Sequence, residues 1–117
     1  MLLLDVNFTL RGPWDRDDER IELYRRAAEL GSVAWASESQ FYLLTVHEFG
    51  VACEHLGADL LTRDFLKVQE VTGRFFVAGS FPPGVNSIFE RAQSLGLVSL
   101  YCSERALPAL AARRVLR

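Results

Sequence analysis

Short apolar runs alternate with polar breaks along the chain, and their spacing predicts strands and helices in turn. Leu2 to Thr9 is mostly apolar, as expected of a strand covered on both faces. Gly12-Pro13-Trp14 breaks it. Asp15, Asp17, Asp18 and Glu19 then supply an N-cap and the acidic charge that a helix start favours. In the helix that follows, Ile21, Leu23, Tyr24, Ala27, Ala28 and Leu30 form the inner side, and Gly31 stops it. Arg16, Arg20, Glu22, Arg25, Arg26 and Glu29 form a solvated outer side with i,i+3 and i,i+4 ion pairs.

Ser32 to Ser37 reads as a second strand. Phe41 to Leu56 is densely apolar, bounded by Ser39 and Gly57, and predicts mainly helix. Thr62 caps a further helix with Phe65, Leu66, Val68 and Val71 at core spacing, ended by Gly73. The run that begins at Arg74 predicts a third strand leading into Gly79-Ser80-Phe81-Pro82-Pro83-Gly84. Ser87 and Glu90 have the spacing of a capping box for a helix that Gly96 ends. Leu97 to Tyr101 is a fourth strand. Ser103 to Arg114 is partly helical around Pro108, and Val115-Leu116 adds a short edge strand. Strands alternating with helices at this spacing predict a three-layer α/β/α domain around a mostly parallel sheet of about five strands.

A length of 117 residues bounds this to one domain, residues 1–117. With 50% hydrophobic and 24% charged residues the chain is globular, and its apolar fraction is high for its size. That excess predicts a subunit that buries a face against copies of itself or paralogous partners. A net charge of −2 and a pI near 5.7 disfavour nucleic acid as a partner. No run approaches the span of a bilayer, and Asp5 interrupts Met1-Leu2-Leu3-Leu4 before it can act as a signal peptide. Cys53 and Cys102, far apart, fit reduced thiols in a cytoplasmic protein. No metal-ligand spacing and no cofactor motif occur. Cys53 reads as core, and His47 and His55 as surface or satisfied residues.

In a parallel sheet, ligands sit beyond the carboxyl ends of the strands, which selects Asp5 to Thr9, Ser37 to Gln40, Gly79 to Gly84 and Cys102-Ser103. The binding candidates are therefore Glu38 and Ser39 after the second strand, Gly79, Ser80 and Gly84 after the third, and Cys102 after the fourth. Asp5 and Asn7 stand at the end of the first. Two enzyme readings use that pair. Leu2 to Leu10 looks like the first motif of haloacid dehalogenase-like phosphatases, although Asn7 stands where those enzymes need an acid–base carboxyl. PIN-type nucleases also open with a strand ending Asp-x-Asn, and Glu48 and Glu104 would complete a cation site.

A third resemblance runs the length of the chain. Gly12-Pro13-Trp14, Ser37 to Leu44, "RFFVAGSFPPGV" and the stretch from Gly96 to the end resemble, in order and spacing, the DsrE/DsrF/TusCD-like sulfur-relay proteins. The resemblance implies their parallel-sheet fold and oligomeric assembly. It aligns Phe76 with the persulfide-accepting cysteine of active members, so it implies a non-catalytic or small-ligand-binding subunit.

Overall fold

In the computed structural model, residues 1–10, 17–58, 60 and 64–102 are described. Six strands and three helices follow in the order β1 (Leu2–Thr9), α1 (Asp17–Leu30), β2 (Gly31–Ser37), β3 (Gln40–Thr45), α2 (Phe49–Gly57), β4 (Phe65–Glu70), β5 (Gly73–Val77), α3 (Pro83–Ser94) and β6 (Val98–Cys102). The expected helix N-cap near Asp15, the Thr62 cap and everything from Ser103 onward lie outside the described residues.

The mostly parallel five-stranded sheet is overturned. β1 to β4 form one sheet in the order β2-β3-β1-β4, and every neighbouring pair is antiparallel. Only β5 and β6 are parallel, in a separate two-stranded sheet. Two misread segments account for the difference. Phe41 to Leu56 is not mainly helix. Phe41, Tyr42, Leu43 and Leu44 are a strand buried on both faces, so the run carries no period by which a strand and a helix could be told apart. The segment expected to be a helix after Thr62 is instead β4, antiparallel to β1.

With those strands in place, β1-α1-β2 and β3-α2-β4 are two interlocked split βαβ units. This is the βαββαβ arrangement of ferredoxin-like proteins. Successive side chains on a strand point to opposite faces, and the sheet uses both. Leu4, Val6 and Phe8 of β1 join Phe41 and Leu43 of β3 beneath α1 (Leu23, Ala27, Leu30) and α2 (Ala52, Leu56). Leu3, Ala34, Tyr42 and Leu44 face the other way and pack against α3 (Val85, Ile88, Phe89, Ala92) and the Val77, Val98 and Leu100 side chains of β5 and β6.

Local chemistry sets the joints. α1 runs straight into β2 without a connecting residue. The last carbonyl of α1, on Leu30, accepts a 2.8 Å hydrogen bond from the Thr45 hydroxyl, which also accepts from the His47 N–H. That makes Thr45 a satisfied, fully buried polar residue. Glu48 caps α2 by accepting from the Val51 N–H at 3.1 Å. α3 begins at Pro83, four residues before Ser87, so the expected capping box lies inside the helix, where Ser87 Oγ donates to the Pro83 carbonyl. Its end is as expected. Gly96 takes φ +76°, its N–H bonds the Gln93 carbonyl, and the Leu97 N–H reaches back to Ala92, a Schellman closure.

The inner side of α1 is narrower than its sequence suggests. Leu23, Ala27 and Leu30 are buried, whereas Ile21 and Tyr24 are exposed, Tyr24 lying flat on Trp35 with ring centroids 5.6 Å apart. Its charged side is as expected, with Arg25 paired to Glu22 and Glu29.

Candidate functional site

The face of the large sheet opposite α1 and α2 changes character along β1. Leu3 and Leu44 lie in the α3 core. Two residues further on, the cross-strand rows become polar. Tyr42, Asp5 and Gln69 are register partners across β3, β1 and β4, and the next row is Gln40, Asn7 and Lys67. Six polar side chains on three adjacent strands therefore share one face.

Four of them are tied together. Asn7 Nδ2 and Gln40 Nε2 both donate to the same Asp5 oxygen, Oδ1, each at 3.0 Å. Gln40 Nε2 also reaches the Tyr42 hydroxyl at 3.4 Å. Asp5, Asn7 and Gln40 are half-buried. Burial raises the Tyr42 phenol above its usual range, the Asp5 charge adds to the rise, and the bond from Gln40 works against it. The Tyr42 ring itself is core, edge-on to Phe89 at 4.8 Å and to Phe75 at 6.5 Å.

The first turn of α3 borders this surface. A Cβ at Gly84 would stand in ordinary contact with the Ala34 methyl, 3.6 Å away, and Ala34 is the register partner of Tyr42. α3 thus begins over the row that carries Tyr42 and Asp5. Beyond the Asn7–Gln40 pair, Thr9 and Ser39 line a cleft of ≈ 290 Å³ with Phe8, Leu10, Arg20 and Glu38. The Phe8 N–H donates to the Ser39 carbonyl at 3.0 Å, which fixes the turn carrying Glu38 and Ser39 beside β1.

The six residues expected from sequence divide into two places. Glu38 and Ser39 line the cleft. Gly79 (φ +96°) and Ser80 lie in the connection from β5 to α3, and Gly84 in the first turn of α3. Cys102 ends β6 as the register partner of Val77, the last residue of β5. This second corner does lie at the carboxyl end of parallel strands, but of a two-stranded sheet. Phe76, aligned with a persulfide acceptor, is not in the corner. It is 58% exposed on the outward side of β5, opposite Tyr101.

The described residues complete neither enzyme constellation. Asp5 stands in the middle of β1 and not at its end. Glu48 caps α2, and Glu104 is outside the described residues. Among the described residues no three His, Cys, Asp or Glu side chains gather where a metal ion could be held. No helix among them is long and apolar enough to cross a membrane. Cys53 is half-buried in α2, its thiol raised by burial and then by Glu48, which opposes thiolate chemistry. His55 is satisfied, its Nε2 2.7 Å from Glu29 Oε1.

Sequence reasoning singled out Asp5, Asn7 and the stretch from Ser37 to Gln40, but missed Tyr42, Lys67 and Gln69. The signal was present: once Gln40 to Thr45 is a strand, Gln40 and Tyr42 fall on one face by period two. Compared with protein-family models, curated proteins and solved structures, the chain matches none. The fold and site together define an α/β protein with a carboxylate–amide cluster on an antiparallel sheet, and no fold-level analogy assigns it a task.

Proposed function

We propose that this chain is a non-catalytic domain that binds a small polar ligand on the sheet face around Asp5, Asn7, Gln40 and Tyr42. The observation that carries it is the pair of amides held on one half-buried Asp5 oxygen. Two side chains from different strands give up rotamer freedom there to present a fixed polar surface. A merely solvated sheet face needs no such ordering.

The cluster contains no thiol, imidazole or second carboxylate, and its one phenol, Tyr42, is pushed towards its neutral form, which favours binding over turnover. The sulfur-relay reading rested on a resemblance in order and spacing that implied a mostly parallel sheet, and the antiparallel order contradicts that implied fold. What carries over is its small-ligand component.

The test is a screen of small anions, cations and neutral polar molecules against isotope-labelled protein, read by nuclear magnetic resonance. Shifts gathered on Asp5, Asn7, Gln40 and Tyr42 support the proposal. Shifts gathered instead on Gly79, Ser80 and Gly84, or magnesium-dependent hydrolysis of phosphate esters or RNA, would reject it.

A further inference from the structure

We infer that the ligand of this cluster carries a primary ammonium group, an inference that rests on the proposed binding role of the same residues. A carboxylate is acceptor-only, so both amides turn their NH₂ groups towards Asp5, which fixes their orientation. Their carbonyl oxygens, Asn7 Oδ1 and Gln40 Oε1, are thereby turned to other partners. An amide oxygen lies about 2.3 Å from its own nitrogen, so each is within roughly 5 Å of Asp5 Oδ1. Among the described residues, none of Asn7 Oδ1, Gln40 Oε1 and Asp5 Oδ2 receives a hydrogen bond.

The surface left over is three acceptor oxygens and one negative charge. An ammonium group is the complement, one positive charge with three donors. A divalent cation fits less well, since a lone carboxylate supplies little of the charge and few of the six or more oxygens that calcium takes. An anion meets the Asp5 charge, and a hydroxyl supplies a single donor. The only cation built into these rows is Lys67, the register partner of Asn7, and it is exposed. Its like charge beside the row weakens the hold on an outside amine, although no hydrogen bond ties it to these oxygens.

The experiment uses three probes of one length, propylamine, propanol and propionate, titrated at neutral pH to roughly 50 mM, well above the millimolar affinity a single small group can reach. The readout is the side-chain NH₂ resonances of Asn7 and Gln40. Propylamine is expected to shift both and the other two to leave them in place. Asp5→Asn should weaken propylamine at least tenfold, and Lys67→Met, which leaves the cluster intact, should strengthen it two- to fivefold. Propanol or propionate moving these resonances as far as propylamine overturns the ammonium assignment while leaving a ligand site there. Magnesium or calcium chloride moving them at lower concentration than propylamine does the same. Silence from every probe overturns both the assignment and the binding role.

Discussion

The Tyr42 ring stands edge-on to that of Phe89, centroids 4.8 Å apart and planes at 77°. This contact joins the large sheet to α3, and Phe89 extends it to Phe75 at 5.0 Å and Phe81 at 5.8 Å. Phe89 is fully buried. Phe89→Ala is therefore expected to cost about 3–5 kcal/mol through lost burial and an unfilled cavity, measured as a drop in the urea midpoint. A loss under 1 kcal/mol would mean that α3 is not fastened to the sheet through this ring.

Tyr42 should hold its proton above the ordinary phenol range near 10. A raised folded-state value favours the protonated form. The resulting stability is complete below the unfolded phenol value and is lost as pH climbs through the folded one. Absorbance at 295 nm should show one tyrosine ionising late, and Tyr42→Phe should delete that step. Asp5→Asn, which removes a charge that raises Tyr42, should bring the step to lower pH.

Glu29 titrates in the opposite sense. The hydrogen bond to His55 lowers its carboxyl first, and Arg25 adds to the effect against a desolvation that raises it. A depressed folded value means the contribution is present above the unfolded carboxylate range and disappears as pH falls through the folded value. Carbon-detected titration of the Glu29 carboxyl should show His55→Ala moving it back up. An unchanged midpoint would show that the α1–α2 link is idle in solution.

Gly31 is the joint between α1 and β2, and a Cβ there would stand 2.0 Å from the Leu44 carbonyl oxygen. Backbone, not a mobile side chain, fills the space. Gly31→Ala should destabilise by about 1–3 kcal/mol as β2 and β3 are forced apart, seen as a lower melting temperature. A neutral substitution would show that the hairpin yields freely.

How far the sequence revealed this fold depends on which faces each segment buries. β1, the end of α1 at Gly31, the end of α3 at Gly96 and β6 were legible, each marked by a glycine or by polar residues next to an apolar run. β3 was hidden because Phe41 to Leu44 is apolar on both sides. In β4, Leu66, Lys67, Val68 and Gln69 alternate with period two, a strand signal outweighed by Val71 at helical spacing from Val68. Losing both strands turned an antiparallel sheet into an expected parallel one. Half the site was legible, as Asp5 and Asn7 are near in sequence. Gln40 is 35 positions from Asp5, and only the β1–β3 register brings it there.

Self-association, expected from composition, has a candidate surface. β5 and β6 form a two-stranded parallel ladder with α3 on one side, while Phe76 is 58% exposed on the other. Parallel strands are normally covered on both faces. Light scattering at micromolar concentration should give more than a monomer mass, and Phe76→Ser should reduce it. A monomer in both would remove the expectation.

The alternation of side chains along β1 separates what holds the domain together from what it touches. Even-numbered positions 4, 6 and 8 belong to the layer under α1 and α2, while 5 and 7 look out on the opposite side. A lineage, or a designer, could exchange the residues at 5, 7 and 40 for others of similar size and retarget the surface without disturbing that hidden layer. On this strand the exposed chemistry of positions 5 and 7 can vary while positions 3, 4, 6 and 8 keep the two cores.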